Sequence, residues 1–523
     1  MTRVIETKEV RIEMADGTRT AVDIVAPQGD PRPTLLIRTP YGRSHDRLEY
    51  DPIGLARLGW NVVIQDTRGT GDSEGKFDPF VQEIADGAET VKWCRAQPFS
   101  NGRVATMGRS YVGATAVLAA AHSKVDACSP QLTAGDIRDG WNYEGGVLRT
   151  GFVLPWACGF AGSRSPAGER LALEMVADPL AMLARKRFST RLAKAFPPYA
   201  HWADRADAAY WNRISALRKA SRMDTPMFHV AGWFDIFCEG SIALYERMRT
   251  SGASERARRS QRLLVGPWTH VEVFGSQTSE MDFGLAANGI LADTPTQIAR
   301  WLLDAADGRD VEGGARVFVM GQNRWLDLAS WPPPSKAKRL FLAEEEQLLS
   351  QPQETAGKVH ISHDPKDPVS SKGGRSLGPV LPFAGPMDQL AMLKRADVAS
   401  FCTPPLQREV TIAGMVRASI VVSTAASSAD VHVKLVDVHP DGKAMSVIDS
   451  VRRLSVTAGR ARAFDVEVGS VAMSFAKGHR IRIDVAGSNF PRLDVNPERA
   501  IHSVLLGGAR PSFVDLPTVR PDL

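Results

Sequence analysis

Val104-Ala105-Thr106-Met107-Gly108-Arg109-Ser110-Tyr111-Val112-Gly113 is an apolar strand that runs into a Gly-x-Ser turn and then, through Ala121, into an Ala-rich helix. A serine on so sharp a strand-to-helix turn is held in a strained backbone conformation with its hydroxyl exposed, and small flanking residues let helix and strand pack closely. The stretch reads as a nucleophile elbow with Ser110 at its tip. The general pattern has a second glycine two residues after the serine; Val112 stands there, and Gly113 follows one later. A Gly-rich turn at a strand end would look the same, so the assignment depends on partners elsewhere in the chain.

A hydroxyl is a poor nucleophile at neutral pH and needs a histidine base that is itself oriented by a carboxylate, in the chain order serine, acid, histidine. Downstream, Met227 to Val230 runs into Ala231-Gly232-Trp233-Phe234-Asp235, and Leu263 to Val265 runs into Gly266-Pro267-Trp268-Thr269-His270. Asp235 and His270 thus sit just past the carboxyl ends of strands, where open α/β sheets place their sites. Of the 11 histidines, His270 alone has this context. Taken singly, Asp235 reads equally as a helix N-cap and His270 as a hydrogen-bonded loop histidine; in this order with Ser110 they read as a triad. The developing oxyanion needs donors, one expected from the Tyr111 backbone N–H and a second from an early loop. Arg38-Thr39-Pro40-Tyr41-Gly42 puts Tyr41 at the tip of the strand Thr34 to Ile37.

Around these motifs, short apolar runs (Thr34 to Ile37, Asn61 to Gln65, Val104 to Met107, Met227 to Val230, Leu263 to Val265, Val317 to Met320) alternate with helical stretches, which indicates a parallel sheet covered on both faces. Lys8 to Pro27 precedes them as an antiparallel hairpin turning at Met14-Ala15-Asp16-Gly17. Between residues 145 and 224 the strand signals stop, and Leu171, Leu173, Met175, Leu180, Met182 and Leu183 fall at helical spacing, as in a cap inserted over the active face. Trp331-Pro332-Pro333-Pro334-Ser335 can continue neither a helix nor a central strand and marks a boundary. Beyond it, Val431, Val433, Leu435, then Phe464, Val466, Val468, then Ile481, Ile483, Val485 alternate with polar residues, and Asp441-Gly442 forms a turn, as in a sandwich or jelly roll. Ser350 to Gly378 reads as a long surface loop. The expected domains are a catalytic α/β domain over 1–144 and 225–334, a helical cap over 145–224 and a β domain over 335–523.

A chain of 523 residues exceeds what one core serves, about 250 to 300 residues, so several domains are required in any case. Hydrophobic residues at 43% and charged residues at 24% are ordinary for a globular protein, and the net charge of +5 is small and interspersed, which argues against nucleic acid as a partner. Cys94, Cys128, Cys158, Cys238 and Cys402 are odd in number and widely spaced among apolar or small residues, as buried free thiols are. The start Met1-Thr2-Arg3-Val4-Ile5-Glu6 has no apolar leader core, and no segment approaches the roughly 18 apolar residues of a membrane span, so the expectation is a cytoplasmic protein without a membrane partner.

Several pieces resemble the cocaine esterase-like (CocE/NonD) hydrolases, relatives of X-prolyl dipeptidyl-peptidases and α-amino-acid ester hydrolases. They are Pro40-Tyr41, Gln65-Asp66-Thr67-Arg68-Gly69, Gly108-x-Ser110-Tyr111-x-Gly113, Gly232-Trp233-Phe234-Asp235, Gly266-Pro267-Trp268-Thr269-His270, Val317-Phe318-Val319-Met320-Gly321, Lys434-Leu435-Val436-Asp437-Val438 and Ser488-Asn489-Phe490-Pro491. They follow the family's order along nearly the whole chain, and the late second glycine is the family's own form. The resemblance implies an α/β-hydrolase fold with an inserted helical cap and a C-terminal jelly roll. It also implies Tyr41 as a phenolic oxyanion donor, Trp141, Trp156 and Phe237 as acyl-pocket residues, and homo-oligomers of open subunit number.

Two other signals fail on inspection. Gly69-Thr70-Gly71-Asp72-Ser73-Glu74-Gly75-Lys76 looks like a phosphate loop, but a Walker pattern would place its first glycine at Thr70 and needs Ser or Thr at Phe77, and Glu74 replaces the third glycine of a dinucleotide fingerprint. It reads as a structural loop with Asp66 paired to Arg68. His360-Ile361-Ser362-His363 has no acidic or thiol partner at metal spacing, so neither metal nor cofactor is expected. The activity expected is hydrolysis of a small-molecule ester or amide through an acyl-enzyme on Ser110. Ile236 and Phe237 follow Asp235 where an amino-acid ester hydrolase carries an acidic pair, and only Glu239 is nearby, which favours an uncharged apolar or aromatic acyl group. The rivals are an X-Pro dipeptidyl-peptidase using Glu144 and Glu174 for a free N-terminus, an acyltransferase with the same triad, and a carbohydrate-binding protein with a vestigial hydrolase domain.

Overall fold

The structure is a computed structural model that describes residues 3–378 and 384–520; Met1 and Thr2, at the start of the segment read above as lacking a leader, fall outside it. Its strands run β1 (Val4–Glu13), β2 (Arg19–Pro27), β3 (Arg32–Thr39), β4 (Asn61–Asp66), β5 (Ser100–Arg109) and β6 (Ala127–Gln131). A small hairpin of β7 (Tyr143–Glu144) and β8 (Val147–Leu148) precedes β9 (Met227–Gly232) and β10 (Gln261–Gly266). After another pair, β11 (Gln277–Thr278) and β12 (Met281–Asp282), come β13 (Gly314–Val319) and β14 (Arg324–Leu328). One sheet has the order β1-β2-β4-β3-β5-β6-β9-β10-β13-β14, parallel from β4 to β13 and antiparallel at both flanks.

Alternate residues of the central strands feed two cores. Leu36, Val63 and Val104 pack with the helices Gln82–Ala96 and Ser110–His122, while Leu35, Ile37, Val62, Ile64 and Ala105 pack with the helix Thr294–Ala306. Burial on both faces is why these strands read as continuous apolar runs. β6 did not read that way: Ala-Cys-Ser-Pro-Gln carries a proline and two polar residues, yet it is fully buried in mid-sheet beside β5. Ser129 there is satisfied by donating to the Phe228 carbonyl at 2.9 Å.

Six helices between Thr150 and Arg213 form the insertion. Leu171 and Met175, four apart on one helix, turn inward, whereas Leu173 is 63% exposed on the opposite side. The C-terminal β domain contains an 11-stranded sheet, and Val431, Val433, Leu435, Phe464, Val466, Val468, Ile481, Ile483 and Val485 all point into its core. The intervening polar residues of the strand Ser428–Val438 are buried as well, because other parts of the chain cover that face. Lys434 Nζ donates to Gln389 Oε1 at 2.7 Å, and His432 Nε2 lies 2.9 Å from Asp449 Oδ2.

The surface loop expected over Ser350 to Gly378 is interrupted by a strand, Gly357–His363, paired antiparallel with Ala500–Leu506. Lys358, His360 and Ser362 face out and only Ile361 and His363 are buried, too little apolar alternation to mark a strand from sequence. All five cysteines are free. No described helix is long and apolar enough to cross a membrane.

Candidate active site

Ser110 sits at the junction of β5 and the helix Ser110–His122 with φ +58°, a left-handed conformation that a non-glycine residue adopts only at a cost. The two glycines of the motif permit this turn. A Cβ on Gly108 would lie 2.4 Å from Val112 Cγ1, and one on Gly113 would lie 2.7 Å from the Gly108 carbonyl oxygen. Close approach of the helix to the strand is therefore made at position 113, and a side chain is tolerated at 112. Beneath the turn, the Arg109 N–H donates to Tyr50 Oη at 2.8 Å and the Arg109 guanidinium pairs with Glu49 at 3.1 Å, both on the helix Arg43–Tyr50.

The loops after β9 and β10 are tied to one another. The Trp233 N–H donates to the Gly266 carbonyl at 2.8 Å and the Phe234 N–H to the Trp268 carbonyl at 3.0 Å; a Cβ on Gly232 would fall 2.3 Å from that same Trp268 oxygen. Trp233 and Trp268 are buried anchors, their indole N–H groups donating to the Phe318 carbonyl and to the Gly275 and Ala287 carbonyls. Held in this way, Asp235 Oδ1 lies 2.7 Å from His270 Nδ1, and His270 Nε2 lies 2.9 Å from Ser110 Oγ. Asp235 is fully buried and Ser110 half-buried.

The side chain of Tyr111 is engaged elsewhere: its hydroxyl donates to Glu83 Oε1 at 3.0 Å and accepts from the Phe80 N–H at 2.9 Å. Glu83 is buried against Arg38 at 2.9 Å. This fixes the first turn of the helix and commits the Tyr111 hydroxyl as both donor and acceptor. Tyr41 follows β3, its N–H donating to Thr39 Oγ1 at 3.0 Å and its hydroxyl accepting from Trp156 Nε1 at 3.4 Å. Although 42% of the residue's area is exposed, desolvation of the phenol pushes its pKa up to about 12, which keeps the hydroxyl protonated at neutral pH.

The other aromatic residues expected in the pocket meet in one cluster. Trp141 stacks on Phe237 at 4.0 Å, and Phe237 stands edge-on to the His270 ring at 5.1 Å. Trp156 lies 5.8 Å from Trp141 and stacks against Phe152 and Trp202. Trp202, Phe152, Phe160 and Phe80 complete this wall and were missed in the sequence, where helical aromatics of an insertion look like ordinary core.

The carboxylates weighed for a substrate ammonium are all committed. Glu239 pairs with Arg375 and accepts from the Ser470 N–H at 2.6 Å and from Ser470 Oγ at 2.9 Å. Glu144 pairs with Arg492 at 2.7 Å and with Arg149 at 3.3 Å, and Glu174 with Arg191 at 2.6 Å on the surface of the insertion. Arg375 was also missed, since nothing marks it in its irregular stretch. Its Nε donates to the Trp233 carbonyl at 2.8 Å, so a residue of the β domain grips the loop that carries Asp235. A cavity of about 880 Å³ opens along this seam, lined by Glu239, Arg149 and Arg375 among others; Ser110, Asp235 and His270 do not line it.

The Gly69–Lys76 loop is a turn beside β4, but its ion pair is not the expected one. Asp66 is held by the Arg43 guanidinium and accepts from the Arg43 N–H at 2.8 Å. The chain turns after Thr67 and carries Arg68 outward to Asp86 at 2.7 Å and Asp16 at 2.5 Å. His360 and His363 lie apart in role as well, His360 on Ser503 at 3.0 Å and His363 on the Asn496 carbonyl at 2.8 Å.

The central parallel sheet, the strained serine at its carboxyl edge and the C-terminal β domain define an α/β-hydrolase. Residues 16–272 match the family model of the X-Pro dipeptidyl-peptidase (S15 family), and residues 308–515 match that of the X-Pro dipeptidyl-peptidase C-terminal non-catalytic domain. The chain is 30% identical to the cocaine esterase of Rhodococcus sp. (strain MB1 Bresler) over 98% of each chain. It belongs to the cocaine esterase-like hydrolases and is an enzyme of the serine esterase and S15 peptidase family. In fold it is similar to an aminopeptidase from a marine sediment Thaumarchaeota archaeon, with TM-score 0.84 and 21% identity over 98% of this chain and 97% of the other. An α-amino acid ester hydrolase superposes with TM-score 0.75 and 23% identity over 99% and 97%.

Proposed function

We propose that the chain is a serine esterase that transfers an uncharged, apolar or aromatic acyl group to Ser110 and then to water. The observation that carries this reading is the unbroken relay from Ser110 Oγ through His270 to buried Asp235, at 2.9 and 2.7 Å, on a strained elbow. Ser110 Oγ attacks the carbonyl carbon as His270 Nε2 takes its proton. Asp235 orients the imidazole and stabilises the imidazolium that forms. The Tyr41 hydroxyl and the Tyr111 N–H donate to the oxyanion. Collapse expels the alcohol, which receives the proton from His270, and water repeats the sequence on the acyl-enzyme to release the acid and free Ser110.

The aromatic wall of Trp141, Trp156 and Phe237 supports an apolar acyl group, and the neutralised Glu144, Glu174 and Glu239 argue against an ammonium-bearing one. A second reading, hydrolysis at a free amino terminus, is favoured by one observation: Asp46, on the helix Arg43–Tyr50 that follows Tyr41, is a buried carboxyl paired with no lysine or arginine among the described residues. Burial pushes its pKa up, which favours the neutral acid and weakens it as an ammonium partner.

A panel of p-nitrophenyl acetate, butyrate and benzoate beside alanyl-prolyl and phenylglycyl p-nitroanilides separates the readings. The proposal expects ester turnover, fastest for butyrate or benzoate, and loss of at least about a thousandfold in Ser110→Ala. Cleavage of the anilides alone would replace it with the peptidase reading. Partition of product toward an added alcohol would make it an acyltransferase.

A further inference from the structure

Within the β domain, the strands Ser428–Val438 and Arg480–Ala486 run antiparallel with Val438 opposite Arg480. The residue just past one strand and the residue just before the other, His439 and His479, therefore face each other, their ring centroids 4.5 Å apart. Both turn onto the carboxylate of Asp437. His479 Nδ1 lies 2.9 Å from Oδ1 and 3.1 Å from Oδ2, and His439 Nε2 lies 3.3 Å from Oδ2. One ligand atom from each of the three residues can be chosen so that all lie within 4.8 Å of one another.

The surroundings distinguish this cluster from a chance surface pair. The Asp437 side chain is 5% exposed, and among the described residues the two imidazoles are its only side-chain partners. The imidazoles remain 25% and 19% exposed, so the open side of the cluster faces solvent. Turns fix both backbones: the His439 N–H donates to the Lys443 carbonyl at 2.8 Å, and the His479 N–H donates to the Ala476 carbonyl at 3.1 Å. Bonds of about 2.0 to 2.1 Å from one ion would set neighbouring donor atoms roughly 3.0 to 3.4 Å apart, close to the imidazole–carboxylate separations here. Two nitrogens and one oxygen suit a first-row transition ion; calcium and magnesium prefer all-oxygen shells.

We propose that Asp437, His439 and His479 bind one divalent first-row transition ion, zinc above all, with water completing its coordination. The ion takes the place of the proton on each ring nitrogen that faces the carboxylate; a neutral imidazole then carries its proton on the other ring nitrogen, and an imidazolium releases one to solvent. It joins the turn after the strand Ser428–Val438 to the turn before Arg480–Ala486. None of the three residues belongs to the Ser110 relay, so the expected effect is on the β domain's stability. Sequence spacing hides the site because His479 arrives from a separate strand.

The test uses full-length, tag-free protein stripped with a chelator and titrated with zinc chloride by calorimetry. Wild type is expected to bind one ion more than His439→Ala, His479→Ala or the near-isosteric Asp437→Asn. Its melting temperature should rise with zinc by several degrees more than theirs, while His360→Ala behaves as wild type and all variants keep wild-type hydrolysis of p-nitrophenyl butyrate. Equal zinc stoichiometry and equal thermal response in wild type and the three site variants would overturn the proposal, as would an equal loss in His360→Ala.

Discussion

Asp235 and Glu239 leave the same strand one helical turn apart, and the regions they enter treat charge in opposite ways. At the sheet edge, Asp235 gives one oxygen to His270, and its Oδ2 has no hydrogen-bond partner among the described residues. At the seam with the β domain, Glu239 is saturated by Arg375 and by both donors of Ser470. Arg375 in turn reaches back to the Trp233 carbonyl. The one side-chain partner of Asp235 is the imidazole on which the proposed mechanism develops charge, whereas Glu239 gives both its oxygens to fixed partners across the seam. Burial separates the two, Asp235 being fully enclosed and the Glu239 side chain one-third exposed, and their partners separate them further.

The contrast is broken most severely by matched amide substitutions. Asp235→Asn should lower kcat on p-nitrophenyl butyrate by about 10⁴-fold, because the imidazole loses its orienting acceptor. Glu239→Gln, the same chemical change one turn on, should leave kcat within about tenfold, since its partners hold a loop and no reacting atom. Comparable losses in both would erase the distinction.

The next effect separates two adjacent roles around the oxyanion. Tyr41→Phe should cost about 10² to 10³ in kcat with KM little changed, the usual loss for one oxyanion donor. Tyr111→Phe should leave kcat near wild type and lower the melting temperature instead, because it removes one donor from buried Glu83 and the acceptor of the Phe80 N–H while sparing the backbone donor.

Smaller again is the effect at the seam. Arg375→Met leaves Glu239 without its cation and frees the Trp233 carbonyl, so the melting temperature should fall by a few degrees and kcat by about tenfold at unchanged KM. Glu239→Gln added to Arg375→Met should recover the melting temperature and not kcat. Recovery of both would make Arg375 a purely structural residue.

The mildest test is pH. His229 on β9 and His502 in the β domain are buried, and burial pushes each imidazole's pKa down to about 4. As pH falls through the ordinary value near 6.5 the unfolded chain takes up these protons and the folded chain does not. Their contribution to stability is thus present above that value and lost progressively down to about pH 4. Calorimetry from pH 7 to 5 should show a falling melting temperature, with a shallower slope in His229→Gln or His502→Gln.

The three residues that meet at the sheet edge are the ones the sequence marks. Ser110, Asp235 and His270 each follow an apolar strand and carry a local turn motif, and the chemistry fixes their order, so local patterns suffice. The elbow's late glycine also makes sense locally, because position 113 is where the helix meets the Gly108 carbonyl. The seam was not legible. Arg375 meets Glu239 across 136 residues and Arg492 meets Glu144 across 348, and no period or spacing announces a long-range ion pair. Asp66 shows the same limit at short range: Arg68 was its nearest cation in sequence, yet a turn at Thr67 gave the position to Arg43. β6 and the strand Gly357–His363 escaped because neighbouring strands, not their own composition, make them strands.

The central claim is that Ser110 carries the acyl group, and covalent labelling tests it most directly. Incubation with a p-nitrophenyl alkylphosphonate, followed by intact mass and peptide mapping, should give one adduct per chain on the peptide bearing Ser110, matched by loss of esterase activity and absent in Ser110→Ala. An adduct on another residue that tracks the loss of activity, or full inactivation of Ser110→Ala's residual turnover at the wild-type rate, would contradict the account.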